Sequence, residues 1–578
     1  MPILSRATLD PARRCATDAY LAQTYPNIEV VISDNASTDA TPEVLAAFSH
    51  DPRVRVSVNP TNIGWLRNQY RAIELARGEY IVVVPADDIL LPSFCADAYA
   101  LLQRYRTTTD AVYASAAYTD ADLLPYHNGH CYALLPGAYG GGRNEFRELL
   151  RMSHIRWNAL LAPRKIFLDF TKAEDSLHAQ ADWDVLLAMS AGGVRFGYLP
   201  SIQVLTRRHG NQCSGSNFLG TYRELEDYLT IHERYVTRDT HWRFHGYEHT
   251  LLADFQHIYS GLSNAAIPPF EPTLVKRAER YLATLQQLLA QPPPARPANV
   301  PRFSVILTTE AKRLGALRRA LASLEAQTET SFEVIVIQRG GESVEAWLAT
   351  LPLAQKTRFF HATQSINAAS ARNIGIRLST GEFIAYLDDE TVFSPEHLAY
   401  AQQIFTHTGV AAICANTTIE LDQLTLPAYF GVGSEYLNPA IAPMVPAAAL
   451  VHRFSCIEQI GPFPENLPIL DDWYLLLSLA THLPITASGA ASVTLHLEGG
   501  FIGSPYACAG MDVFLGILDM IYAAIPVPTQ ADTDLRSRYR AAIQANWPQP
   551  TDPDMQRFIQ TLAGKERVAA LNRLTSNL

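Results

Sequence analysis

Residues 21–35 read LAQTYPNIEVVISDN, and residues 324–338 read LEAQTETSFEVIVIQ. Three further landmarks recur in the same order. NIGWLRN (62–68) has its counterpart in NAASARN (367–373), and ARGEYIVVVPADDILLP (76–92) is echoed by STGEFIAYLDDETVFSP (379–395). The offset is 304 from Gln23 to Gln327, 305 from Asn68 to Asn373 and 303 from Pro92 to Pro395. Offsets this steady over some seventy residues mark a duplicated domain rather than a short motif. In each copy, short strands apolar on both faces (EVVI, YIVVV; FSVILTT, FEVIVI, FIAYL) alternate with helical stretches. That pattern predicts an α/β domain built on a mainly parallel sheet with helices on both faces. Ligands of such sheets sit beyond the carboxyl ends of the strands.

The 578 residues exceed any single small module. Hydrophobic residues make up 48% and charged residues only 18%, against a usual ~25%, so most of the chain is expected to be packed rather than disordered. A net charge of −11, with no run of Lys or Arg, leaves no electrostatic footprint for nucleic acid. The seven cysteines are scattered without a CxxC pair, which argues against a disulfide framework and predicts reduced, packed thiols in a cytoplasmic protein. The opening MPILSRATLDPARR has no long apolar core, and neither Ala440–Val451 nor Phe514–Val527 reads as a membrane span. A peripheral site at the inner face of the membrane, through the Phe514 segment, stays open as an expectation.

QPPPARPANVP (291–301) disfavours helix and reads as an extended spacer. The expected organisation is therefore a first α/β domain over 1–215, a helical appendage over 216–290, the linker 291–301, a second α/β domain over 302–502 and a helical region over 503–578.

Candidate chemistry collects at the strand ends. Asp87-Asp88 and Asp388-Asp389-Glu390 put oxygen ligands where Mg²⁺ or Mn²⁺ could neutralise a diphosphate. An isolated Asp-Asp reads equally well as a turn cap; recurrence after equivalent strands favours the metal. Asp34, at the end of EVVIS, could accept the imide N–H of a uracil or thymine ring, make an Asx turn or cap the helix that follows. QADWDVLLAM and PILDDWYLLL place Asp182 and Asp472 at helix starts, as dipole-favoured caps or as general bases. VLTRRHGNQCS and SVTLHLEGG place His209 and His496 in corresponding positions, as metal ligands or leaving-group contacts.

Taken together, these segments resemble the family-2 type of inverting GT-A glycosyltransferases, over roughly residues 1–215 and 301–500. The resemblance implies two tandem GT-A domains, each followed by a helical appendage. By it, Asp34 and Thr308 help to hold the base, and Arg67 and Arg372 lie near the nucleotide. Asp87 and Glu390 take the metal position of a DxD-like motif, with Asp88, Asp388 and Asp389 beside them at the nucleotide-sugar. His209 and His496 complete the metal site, and Asp182 and Asp472 are the catalytic bases. The implied cofactor is Mn²⁺ or Mg²⁺. The implied partners are a UDP- or dTDP-linked sugar donor and a glycan, lipid-linked glycan or protein acceptor, with a homodimer as a further option. The implied role is O-antigen- or capsule-like polysaccharide or glycoconjugate synthesis.

Each copy departs from the pattern once. Aligned on Gln23, Met1 falls opposite Val305, so the first copy should lack most of the FSVILTT strand, and Met1 need not be the true start. The second copy has Gln338 where the first has Asp34. One active domain with a degenerate partner for acceptor binding or dimerisation therefore stands beside two active ones. A nucleotidyltransferase and a non-catalytic carbohydrate-binding scaffold are the readings from other classes.

Overall fold

The computed structural model describes residues 2–6, 11–120, 139–171, 177–208, 221–265, 270–291, 294, 297, 300–362, 364–421, 424–428, 446–467, 469–497, 511–525 and 530–545. It divides into two units between Arg296 and Pro297, inside the proline-rich stretch.

In the second unit the β-branched runs form a parallel sheet. Phe303–Thr309 lies between Phe332–Gln338 and Phe383–Asp388, and Thr357–His361 pairs on the far side of Phe332–Gln338. All seven residues of Phe303–Thr309 are buried, as expected for a strand covered on both faces. Beyond Phe383–Asp388 the sheet becomes mixed. Leu450–Arg453 runs antiparallel to it and to Ala412–Leu421. The long strand Ile485–Leu497 runs parallel to Ala412–Leu421 and antiparallel to the short Thr391–Phe393. This last pairing carries the far end of the long strand back to the turn that follows Asp388.

The first unit repeats this order. Pro2–Arg6 lies between Glu29–Asp34 and Tyr80–Val83, with Val54–Val58 outside. Leu160–Pro163, Ala111–Thr119 and Phe196–Arg207 complete the mixed half, with Ile89–Leu90 against the last. Ile3 sits beside Val30 and Val82 as Val305 sits beside Val334 and Ala385. Ile3, not Met1, therefore takes the place of Val305, and the central strand is five residues long where its copy has seven. The shortfall foreseen from the alignment on Gln23 shrinks to two residues, because two fewer residues separate Ile3 from Gln23 than Val305 from Gln327.

The recurring landmarks turn out to be joints. Gln23 donates to Leu91 O (2.7 Å) and accepts from the Cys95 N–H (3.0 Å), while the Thr24 N–H donates to Pro92 O (2.8 Å). Gln327 and Thr328 make the same bonds to Ser394 O (2.7 Å), Leu398 N–H (3.1 Å) and Pro395 O (2.8 Å). At the opposite end of the strands, Glu29 accepts the N–H groups of Arg77 and Gly78, and Glu333 accepts from Ser304 and Thr380. A Cβ on Gly381 would lie 2.6 Å from Ser304 N, so only glycine lets the two strands meet there.

Helices Tyr222–Tyr235, His241–Phe244, Glu248–Ala265 and Pro272–Leu289 follow the first sheet, and Met511–Ala524 and Gln530–Ala545 follow the second. No described helix is long and apolar enough to cross a membrane. The first appendage grips the domain before it through Asp227, which is fully buried. Its carboxylate accepts three consecutive backbone N–H groups, from His178 (2.8 Å), Ala179 (2.8 Å) and Gln180 (3.0 Å), just ahead of helix Ala181–Ala191. Arg234 adds an ion pair to Asp184 at 2.7 Å. Asp227→Ala strands those donors and is expected to cost about 1–3 kcal/mol. Denaturant unfolding of the full chain measures it; Asp227→Asn, which keeps an acceptor oxygen, should lose less.

Candidate active site

In the first unit the strand Tyr80–Val83 runs into a turn held by Tyr20, whose hydroxyl lies 2.8 Å from Pro85 O and 2.9 Å from Asp88 O. This turn divides the two acids. Asp88 is 3% exposed, accepts the Arg207 N–H at 3.1 Å and contacts the Asn158 amide. Burial, with the charge of Asp87 adding to it, pushes its carboxyl up to about 8. Through these two contacts Asp88 acts as a lock between the turn and the strand Phe196–Arg207. Asp87 beside it is half-buried.

Asp34 is buried at the end of its strand, and its Oδ1 accepts from Ser37 N (3.2 Å) and Ser37 Oγ (2.5 Å). The N–H it binds lies three residues on, one beyond the reach of an Asx turn and as in a cap. Beside it, Ser33, Asn59 and Asn68 form a buried network, with Asn59 Nδ2 at 2.8 Å and Ser33 Oγ at 2.7 Å from Asn68 Oδ1. Arg67, one residue earlier on helix Trp65–Leu75, is exposed. Asp182 opens helix Ala181–Ala191 and accepts the Trp183 N–H at 2.9 Å, while the Trp183 indole donates to Leu149 O (2.6 Å). Burial raises the Asp182 carboxyl, against the charge of Arg156 and the Trp183 N–H.

The second unit assembles its acids around a guanidinium. Arg372, 6% exposed, pairs with Asp471 at 2.6 Å through one nitrogen and with Asp388 at 3.1 Å through the other. The strand end is thereby tied to the start of helix Asp471–His482. Thr308 donates to Asp388 (2.5 Å) and Thr309 to Asp389 (2.7 Å), and burial raises the Asp389 carboxyl. Asp472 accepts the Trp473 N–H at 2.8 Å, as Asp182 does its tryptophan. Burial and then the charge of Asp471 push Asp472 up to about 6, against the pull of Arg372. Leu470, immediately before, is held at φ 64, a left-handed conformation that is strained for a leucine. Glu390 pairs with Arg313. Gln338 is buried and closes its own loop, donating to Gly340 O (2.8 Å) and Glu342 O (2.6 Å) and accepting from Val344 N–H (3.1 Å).

The strand register corrects one assignment. Thr119 pairs with Arg207 where Glu420 pairs with His496, and Leu90 pairs with Val204 where Phe393 pairs with Val493. Arg207, not His209, is therefore the counterpart of His496, and His209 lies outside the described residues. His496 donates its backbone N–H to Glu390 O (2.7 Å) and places Nδ1 3.0 Å from Glu420. Sequence reading also missed Asn158, Asp227 and Asp471. Asp471 adjoins Asp472 in the sequence and was passed over because the first copy has Ala181 at that place.

Comparison with known proteins associates both units with sugar transfer. Residues 13–167 and 304–427 match the profile described as Glycosyl transferase family 2. One matched stretch falls in each unit, so both halves are similar to family 2 glycosyltransferase domains. An uncharacterized glycosyltransferase of Rickettsia felis is 24% identical over 510 residues, which is 84% of this chain and 77% of that protein. Another from Rickettsia conorii is 24% identical over 508 residues, with the same coverage. Among solved structures, S. aureus TarS 1–349 in complex with UDP-GlcNAc aligns with 50% of this chain and 89% of its own at 13% identity and a TM-score of 0.36.

Asp88 offers a check on the site's electrostatics. Its folded value lies above the ~3.9 of an unfolded chain. The stability it contributes is complete below about pH 4 and is lost as pH rises through about 8. Asp88→Asn removes that loss. Its melting temperature is expected to match or exceed that of wild type at and above neutral pH and to fall behind it in acid, as read by calorimetry across a pH series.

Proposed function

We propose that each unit is an inverting, nucleotide-sugar-dependent glycosyltransferase domain acting in polysaccharide or glycoconjugate synthesis, with Asp182 and Asp472 as general bases. The observation that carries this reading is the matched pair of carboxylates. Each opens a helix, accepts the N–H of the tryptophan that follows and is raised by burial toward the range of a working base. In this reading the base takes the proton of an acceptor hydroxyl, whose oxygen attacks the anomeric carbon as the nucleoside diphosphate leaves from the opposite face.

A UDP- or dTDP-linked donor is the preferred substrate, and Asp34, held by Ser37, forms the floor of the base pocket in the first unit. Hard-oxygen chemistry at Asp87 suits Mg²⁺ or Mn²⁺, which would supply charge neutralisation for the leaving diphosphate. In the second unit Glu390 meets Arg313 and Asp388 meets Arg372, so the same ion fits less well there. This contrast favours a second reading, in which the first unit transfers sugar and the second holds the acceptor or a partner copy.

Both readings are tested on the full chain with a panel of UDP-, dTDP- and GDP-sugars in Mn²⁺, following nucleotide release with and without acceptor glycans. Asp182→Asn is expected to lower turnover by at least about 100-fold for its step. Equal loss in Asp472→Asn supports two active units, whereas unchanged turnover there supports the second reading. Wild-type turnover in both variants overturns the base assignment, and absence of release from every donor overturns the enzyme reading. Where Asp472 is the base, its step should slow as pH falls through about 6, because the carboxyl then takes up a proton.

A further inference from the structure

The first appendage contains a cluster that the glycosyltransferase reading does not use. Between helices His241–Phe244 and Glu248–Ala265 the chain reads HWRFHGYE (241–248). Gly246 adopts φ 93, a left-handed conformation open to glycine, and this turn folds Glu248 back onto both histidines. His245 Nδ1 lies 2.9 Å from Glu248 Oε1, and His241 Nε2 contacts the same oxygen. The three groups keep one ligand atom each within 4.8 Å of the others. The other carboxylate oxygen accepts the Gly246 N–H at 2.6 Å, which fixes the direction in which Oε1 points. The His241 side chain is fully buried and that of Glu248 is 4% exposed, while His245 is 36% exposed and gives the cluster an opening.

We propose that His241, His245 and Glu248 form a site for a zinc-class divalent cation, with two imidazole nitrogens and one carboxylate oxygen as ligands. Ligand atoms around tetrahedral zinc stand about 3.3 Å apart, so small side-chain rotations suffice to admit the ion. Two nitrogen ligands disfavour Mg²⁺ and Ca²⁺, which take oxygen sets. Three protein ligands leave the fourth position to water on the side of His245, as in open rather than closed zinc sites. The Gly246 N–H plays the supporting part that orients a ligating carboxylate.

Binding has one local cost. In the metal-free cluster each ring presents an N–H to Glu248; when the ion enters, that proton moves to the ring's other nitrogen. For His241 this turns Nδ1 into a donor facing Arg238 Nη1, now 3.4 Å away, so Arg238 must swing aside. An occupied site would also stiffen the neighbourhood of the proposed base, since Arg243 of the same short helix donates to Ala191 O at the end of helix Ala181–Ala191 (2.8 Å).

The test uses the full chain stripped with a chelator and titrated with Co²⁺, with Zn²⁺ then measured by competition against a chromophoric chelator. One nitrogen-ligated, tetrahedral Co²⁺ per chain is expected, with intense visible absorption that Zn²⁺ displaces. His245→Ala, a half-exposed position that the fold should tolerate, is expected to weaken binding at least about ten-fold. Arg238→Ala is expected to strengthen it. Asp87→Ala should leave the band intact, because oxygen-only acids give weakly absorbing octahedral Co²⁺. A wild-type chain without the intense band, or a band that survives unchanged in His245→Ala, overturns the proposal.

Discussion

The side-chain amide of Gln23, and its copy Gln327, is the contact on which each proposed catalytic edge depends. An amide both donates and accepts, so one side chain satisfies two backbone groups in the loop after the acid-bearing turn. The threonine that follows adds a backbone bond to the proline of that loop. The helix preceding the second strand is thereby pinned to the segment following the acid turn, and the turn is held from both sides. Because the amide groups are buried, losing one would leave backbone partners unsatisfied, at about 1–3 kcal/mol each. At the other end of the same strands, Glu29 and Glu333 bind the backbone or side-chain donors of the Arg-Gly and Thr-Gly corners.

This explains why the repeat was so readable. QT, GE and the terminal proline recur because they are structural joints, and joints need particular donors and acceptors at fixed separations. The parallel strands were legible for a related reason: a strand buried on both faces must be apolar throughout. The mixed half of the sheet was less so. Ala111 and Ala412 are counterparts at an offset of 301, but Arg207 and His496 stand at 289, because the segment between them differs in length. Each long strand also changes register against its neighbour near Ser115 and Asn416. A histidine in each copy invited pairing by eye, and the hydrogen-bonded register moves it by two residues. Asp227 was hidden for a different reason. An acid on an otherwise apolar helix face looks like an imperfection until the three N–H groups that need it are seen.

The same logic shows how the appendage enters the site. A helix that begins with an acid has its first N–H groups free to bind an anion or a cap. In the first unit the chain just ahead of Asp182 is capped by Asp227, from the appendage rather than from the domain itself. Asp182 is thereby relieved of the capping role for those amides and accepts the next residue's N–H. The domain and its helical appendage are on this ground one mechanical piece.

The two units solve the problem of a buried acid at the strand end in opposite ways. A carboxyl removed from water must be neutralised by a proton or by a counter-charge. The first unit buries Asp88 against the Asn158 amide and lets its affinity for the proton rise. At the equivalent places the second unit has Thr391 and Ala448, so neither partner remains. Its acid sits three residues earlier, at Asp388, where the first unit has Pro85, and a guanidinium meets it. Arg372 is buried, whereas its counterpart Arg67 is exposed. The second acid that Arg372 needs, Asp471, replaces Ala181. These exchanges form two self-consistent sets, Asp88 with Asn158 and Asp388 with Arg372 and Asp471, and a mixture would leave a charge unpaired in the interior. The duplicated domains have therefore diverged as electrostatic units, and the neighbouring acid differs with them: Asp87 beside the raised Asp88 carboxyl in one, Glu390 beside Arg313 in the other. Under the proposed metal role, that difference in charge would make ion affinity uneven between the halves.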